Sequence, residues 1–129
     1  MNLRVLVVDD EPFVAETLRA FLEDEGMHVR VEPSGEAAVA ALRSGAAFDA
    51  CIMDLRLPGM DGDMAAQELH RISPALRFLL HTGSADYVVP AALRAIGIRQ
   101  AHLFRKPLAD LKPLANALYE LQGAATREL

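Results

Sequence analysis

Short apolar runs alternate along the chain with longer stretches in which apolar residues recur every three or four positions. Residues 4–8 are almost continuously apolar, the pattern of a strand covered on both faces. Val14, Leu18, Phe21 and Leu22 follow at helical spacing, with Pro12 suited to a first turn and Gly26 to the position after a last one. The alternating residues 28–31 predict a second strand. Ser34 is placed to cap a helix through Leu42 that stops near Gly45. Residues 48–53 predict a third strand with Cys51 as a small core residue, and 55–62 a loop rich in Pro and Gly. Met64, Leu69 and Ile72 mark a third helix that ends before Pro74, and 76–80 a fourth strand. A short fourth helix is expected from near Pro90 to Gly97, then a fifth strand over 101–104. A last helix carries the stripe Leu108, Leu111, Leu114, Leu118 and Leu121, and Pro113 requires it to start near Asp110. The pattern predicts one domain over 1–122 and a short tail over 123–129.

Five β–α units in sequence imply an α/β fold, a parallel sheet with helices on both faces joined by right-handed crossovers. Ligands of such sheets sit at the carboxyl ends of the strands, where the strand order reverses. The expected strand ends carry Asp9-Asp10-Glu11, Asp54, Thr82 and Arg105-Lys106-Pro107. In the order 2-1-3-4-5, Asp9, Asp10, Asp54, Thr82 and Lys106 converge on one edge. Carboxylates ~5 Å apart repel by about 3 kcal/mol per pair at an effective dielectric of 20, so the cluster calls for a cation. Lys106 offers one charge, and a hard divalent ion such as Mg²⁺ suits the oxygen donors. A lysine, a hydroxyl, Mg²⁺ and an unblocked carboxylate together form a place for a phosphoryl group, and a carboxylate can be the nucleophile that accepts it.

Composition narrows the class. Hydrophobic residues make up 52% of the 129 and charged residues 24%, the balance of a single folded globule rather than a disordered chain. With 13 basic against 18 acidic residues, net −5, the chain lacks the basic stripe of a nucleic-acid binder. One cysteine rules out an internal disulfide and suits a reducing, cytoplasmic setting. No apolar run approaches the ~20 residues of a membrane helix. Among 11 Arg there are only two Lys, so an ammonium at position 106 points to a compact point charge. The four histidines show no ligand spacing.

Val7-Val-Asp-Asp-Glu-Pro12, Met53-Asp-Leu-Arg-Leu-Pro-Gly-Met-Asp-Gly62, Leu80-His-Thr-Gly83 and Arg105-Lys-Pro107 together resemble the receiver domains of two-component response regulators. The resemblance spans essentially the whole chain, in order and spacing. It implies a flavodoxin-like (βα)5 three-layer sandwich and a signalling switch rather than a turnover enzyme. Residue by residue, it implies Asp54 as phosphoacceptor, Asp10 as a direct Mg²⁺ ligand and Asp9 as a direct or water-mediated one. The Arg56 backbone carbonyl would complete the protein ligands. Thr82 would contact the phosphoryl group and move on activation, and Lys106 would pair with it, next to a peptide bond to Pro107 that is usually cis. The donor would be a sensor histidine kinase or a histidine phosphotransfer protein. The downstream protein would meet the face of the fourth helix, fifth strand and fifth helix, with neither nucleic acid nor membrane involved directly. The length fits a stand-alone regulator that acts by contact or as a phosphoryl relay or sink.

One position departs from the family pattern. Where an aromatic commonly lies three residues before the lysine, this chain has Leu103, with Phe104 one residue later. Neighbours in a strand face opposite sides, so Phe104 does not replace it, and the switch is expected to work through Thr82 and the loops. Two other classes share parts of this pattern. A phosphohydrolase of the haloacid dehalogenase type also uses Asp, Thr or Ser, Lys and Mg²⁺, but its nucleophile lies on the first strand in an Asp-x-Asp pattern that this chain lacks. A phosphorylation-independent interaction module would keep the pocket without using it.

Overall fold

The computed structural model describes residues 2–127, the side chains of 124–127 excepted. Five strands, β1 (Arg4–Val8), β2 (His28–Glu32), β3 (Ala50–Asp54), β4 (Arg77–Thr82) and β5 (Leu103–Arg105), form one parallel sheet in the order β2-β1-β3-β4-β5. The helices are α1 (Pro12–Asp24), α2 (Gly35–Arg43), α3 (Gly62–Ile72), α4 (Ala91–Arg94) and α5 (Lys112–Arg127). The expected α/β sandwich and strand order are what the chain adopts. Among the described residues, no helix is long and apolar enough to cross a membrane.

Alternation along the strands splits the core in two. Leu6, Val8, Cys51, Met53, Phe78 and Leu80 pack on one face with residues of α2, α3 and α4, including Ala38, Leu69 and Leu93. Val5, Val7, Ile52 and Leu79 pack on the other with Leu18 and Leu22 of α1 and Leu114 and Leu118 of α5. Burial on both faces explains why the central strands read as unbroken apolar runs. Cys51 is fully buried, and burial pushes its thiol well above the usual range, which leaves it a small core residue.

Helix ends follow local chemistry. Ser34 caps α2 by accepting from the Ala37 amide, as expected, and Asp61 caps α3 by accepting from Met64. Gly62 begins α3 against the end of β3, and its amide donates to the Leu55 carbonyl. The loop after β3 thus closes back onto the strand that ends in Asp54.

Several boundaries differ from the expectation. Asp54 and Thr82 close their strands rather than follow them, because each still has a ladder partner, Asp54 with His81 and Thr82 with Arg105. The fifth strand begins at Leu103, since Gln100–His102 form a single 3₁₀ turn in which the Arg99 amide donates to Nδ1 of His102. Gln100 is drawn away from the sheet: its amide oxygen accepts from Val89 and its amide nitrogen donates to the Tyr87 carbonyl. Helix α4 has only four residues, Ala91–Arg94, shorter than expected, because the chain turns off at Gly97 (φ 95°), whose amide donates to the Arg94 carbonyl while the Ile98 amide donates to that of Leu93. Helix α5 continues through Gly123 to Arg127, so the residues 123–127 of the expected tail are helical; residues 128 and 129 lie outside the described residues.

Candidate functional site

The site lies at the carboxyl end of β1, β3 and β5. Asp9 follows β1 and is 3% exposed, and Asp54 ends β3 and is 4% exposed. Lys106 follows β5, its amide donating to the Thr82 carbonyl at 2.7 Å. Its ammonium lies 3.0 Å from Asp9 Oδ2, 3.0 Å from Glu11 Oε2 and 3.2 Å from Asp54 Oδ2. Three carboxylates thus share one cation. The second Asp54 oxygen, Oδ1, accepts from the Arg56 amide at 3.1 Å, and the Lys106–Pro107 peptide is cis.

The charges of this cluster are set by competition. Burial favours the neutral acid at Asp54 and dominates; the Arg56 amide and Lys106 favour the anion, Asp9 opposes it, and the net effect raises the pKa above the ordinary carboxylate value. Burial also works against the charge on Lys106. Hydrogen bonds to Glu11 and Asp9 and the charge of Asp54 outweigh it, and the ammonium is held above its usual pKa.

Glu11 is the member of this cluster that the sequence did not single out. Oxygens of Asp9, Glu11 and Asp54 all lie within 4.8 Å of one another. The Asp9 carboxylate accepts from the Glu11 amide at 2.9 Å, and this Asx turn swings Glu11 back towards the side chain two residues before it. Asp10, expected as a direct metal ligand, is exposed and lies on the rim of the adjoining cavity, outside that group of three. Arg56 is also exposed and lines the same rim. Thr82 is 1% exposed; its hydroxyl accepts from the Ser84 amide at 3.1 Å and does not line the cavity.

The donor set fits a hard cation. It consists of carboxylate oxygens close enough to share one ion, with Asp10 at the rim, and it contains no thiolate or imidazole. Oxygen-only donors of this kind suit Mg²⁺.

The response regulator receiver domain family matches residues 5–118. The chain belongs to that family. Among curated relatives, this receiver domain is 38% identical over 89 residues to the transcriptional regulatory protein AruR of Pseudomonas aeruginosa, covering 66% of this chain and 36% of the relative. It is 34% identical over 116 residues to the transcriptional regulatory protein FixJ of Azorhizobium caulinodans, covering 88% and 53%. The chain therefore spans about a third to a half of the length of these relatives. Among solved structures, the response regulator protein TrrA of Thermotoga maritima, in complex with Mg²⁺-BeF, superposes with a TM-score of 0.78 at 27% identity, over 92% of this chain and 98% of that one. A CheY-like receiver domain of Methanospirillum hungatei shares the fold, with a TM-score of 0.85 at 22% identity and complete coverage of both chains. The chain is thus a receiver module of a signalling family.

His81, one of four histidines without ligand spacing, is 3% exposed. Burial, then the charge of Lys106, lowers its pKa to about 4, against the opposing charges of Asp9 and Glu11. A base held below its ordinary pKa binds fewer protons folded than unfolded, so stability falls as pH drops from about 6.5 to about 4. At about 1.4 kcal/mol per unit, the loss from His81 is about 3 kcal/mol. Asp54, whose pKa is raised, acts in the opposite sense as it takes up a proton. Urea unfolding of the metal-free chain between pH 7 and 4 should therefore show a steeper loss in the parent than in His81→Leu. Equal slopes would contradict the buried neutral imidazole.

Proposed function

We propose that this receiver domain accepts a phosphoryl group on Asp54 from a phosphohistidine of a sensor histidine kinase or histidine phosphotransfer protein, in a Mg²⁺-dependent reaction in the cytoplasm. The observation that carries this reading is the convergence of Asp9, Glu11 and Asp54 on the Lys106 ammonium, with Asp54 also lining an open cavity. Asp9, Asp10, Asp54 and the Arg56 carbonyl would hold the ion. When bound, Mg²⁺ supplies positive charge against the phosphoryl oxygens.

The chain's own residues do the rest. Asp54 Oδ2, released as Lys106 turns to the phosphoryl oxygens, attacks phosphorus, the donor's P–N bond breaks, and the electron pair returns to the departing imidazole, which takes up a proton. The Arg56 amide fixes the other Asp54 oxygen, so the nucleophile is oriented before the donor arrives. Lys106 exchanges carboxylate partners for the phosphoryl oxygens, and its tether to Thr82 through the backbone keeps it in place during that exchange. Slow hydrolysis of the acyl phosphate returns the switch to its resting state.

Output follows from the movement of Thr82. Its hydroxyl leaves the Ser84 amide for a phosphoryl oxygen, which displaces the loop after β4 and the face made by α4, β5 and α5, where the downstream protein binds. The packing supports a switch without the usual aromatic. Leu103 packs with Tyr87 against the α3–α4 side of the sheet, while Phe104 packs on the α1–α5 side. Leu103 therefore repacks modestly as the loop shifts. Incubation with acetyl phosphate and Mg²⁺ tests the reading by intact mass. One phosphoryl group per chain is expected, lost when a chelator replaces the metal; no gain in mass with Mg²⁺ present would overturn it.

A further inference from the structure

The loop after β4, residues 83–90, is fastened unevenly. At its far end Val89 is 1% exposed, its amide donates to Oε1 of Gln100 at 3.0 Å, and its carbonyl accepts from the Arg94 guanidinium at 3.4 Å. At its near end the Ser84 amide donates to the Thr82 hydroxyl, the bond that a moving Thr82 gives up. Between these ends Gly83, Ala85, Asp86 and Val88 are exposed, whereas Tyr87 turns inward. Its carbonyl accepts from Nε2 of Gln100 at 3.4 Å, and its ring packs against the core on the α3–α4 side, where Leu103 packs too.

The Tyr87 hydroxyl donates to Oδ1 of Asp63 at 2.8 Å. Asp63 is half-buried and is the second residue of α3. The residue before it, Gly62, donates its amide to the Leu55 carbonyl and lies where a Cβ would overlap the Asp54 carbonyl oxygen. The first turn of α3 is therefore fixed to the strand end that carries Asp54. A hydroxyl bonded to an ionised carboxylate is among the stronger side-chain hydrogen bonds. Burial, then the hydrogen bond to Asp63 and the charges of Asp63 and Asp61, hold the Tyr87 hydroxyl protonated well above its usual pKa, so it stays a donor.

From this arrangement we infer that Tyr87 and Asp63 form a latch that holds the loop after β4, and Thr82 with it, in the resting position, and that filling the phosphoryl site opens the latch. The inference rests on Asp54 as the phosphoryl acceptor. To reach a phosphoryl oxygen, Thr82 leaves Ser84, and residues 84–87 take up the displacement because Val89 is anchored in the core. The first turn of α3 stays with β3, so the displacement falls on the bond between loop and helix. With Leu103 on β5, the ring that responds on this side of the sheet is that of Tyr87. Tyr87 is thus a positioning residue, which acts on the phosphoryl site through Thr82. A latch closed only in the resting state reduces the fraction of chains competent to hold a phosphoryl group, and apparent affinity falls by that fraction. Removing the latch therefore tightens binding, whereas mere structural damage weakens it.

The test is a titration of the isotopically labelled full chain with beryllofluoride, a phosphoryl mimic, in excess Mg²⁺, followed by NMR at the Ser84 amide. Tyr87→Phe keeps the ring against the core and removes only the hydroxyl, and its affinity for beryllofluoride should rise about tenfold over the parent. Asp63→Ala should raise it similarly. The double variant should gain no more than either single one, because both remove the same bond. If Asp63→Ala fails to fold, Tyr87→Phe decides alone. Unchanged or weaker binding by Tyr87→Phe, or gains that add in the double variant, would overturn the latch. A parent chain that binds no beryllofluoride would overturn the phosphoryl reading itself, and the latch with it.

Discussion

Replacing Asp54 by Asn is expected to reduce phosphoryl labelling by acetyl phosphate from one group per chain to none. The substitution keeps the side chain's size, and the amide oxygen still accepts from the Arg56 backbone as Oδ1 does now. It removes the nucleophile, because an amide cannot form the acyl phosphate. It also removes one of the three anions on Lys106. Relief of that crowding is stabilising: the carboxylate is 4% exposed, and burial already pushes its pKa upwards. Asp54→Asn should therefore unfold at a higher urea concentration than the parent at pH 7 while losing all labelling. That opposition of stability and function identifies a site where repulsion is retained for chemistry. Labelling of the variant at the parent's stoichiometry would remove Asp54 from the role of acceptor.

The largest expected loss of stability comes from a residue with no chemistry of its own. Gly62 starts α3 directly behind the site. A Cβ built there would overlap the Asp54 carbonyl oxygen and come within 2.6 Å of the Leu55 Cα. Both obstacles are backbone, so neither can swing aside as a side-chain end would. Gly62→Ala must push α3 away from β3, breaking the Gly62–Leu55 hydrogen bond and loosening the packing of Ala65 and Leu69. A cost of about 3 kcal/mol or more is expected, measurable as a fall in the midpoint of urea unfolding. At Gly83, where an added Cβ meets nothing within 4 Å, the same substitution should cost less than about 0.5 kcal/mol. Equal effects at the two glycines would contradict the close approach at Gly62.

The difference between those glycines shows what is legible in a sequence. The parallel sheet and its two-faced core follow from alternation and helical spacing, whereas the strand order, and with it the convergence of Asp9, Asp54 and Lys106, was carried by the family resemblance of the strand-end motifs. Glu11 was not legible because its place depends on the Asx turn at Asp9, which reverses the outward alternation of the strand. His81 was not legible for another reason. Its burial and its lack of hydrogen-bond partners in the protein are products of tertiary packing, which no local pattern encodes. The late start of β5 goes with the 3₁₀ turn at 100–102, in which Gln100 holds the loop after β4 and His102 accepts from the Arg99 amide, side-chain contacts that helical and strand periods do not encode. Asp10 illustrates the converse: a motif position is readable, but the direction of its side chain depends on the loop, and here that direction is the rim.

These dependencies bear on the switch. Tyr87 donates to the Asp63 carboxylate at 2.8 Å, which ties the loop after β4 to the first turn of α3, and Gln100 ties the same loop to the turn before β5. The proposed movement of Thr82 would work against both ties, so output is expected to be spread over this loop rather than concentrated in one rotating side chain.

The central claim is that Asp54 forms an acyl phosphate. Phosphorylating the parent chain with acetyl phosphate and Mg²⁺, trapping it with borohydride and sequencing the peptides by mass spectrometry tests this most directly. Reduction converts a phosphoaspartate to homoserine, and the account predicts homoserine at position 54 alone. Homoserine at position 9 or 10, or unreduced aspartate at 54 in a chain that carries phosphate, would contradict it.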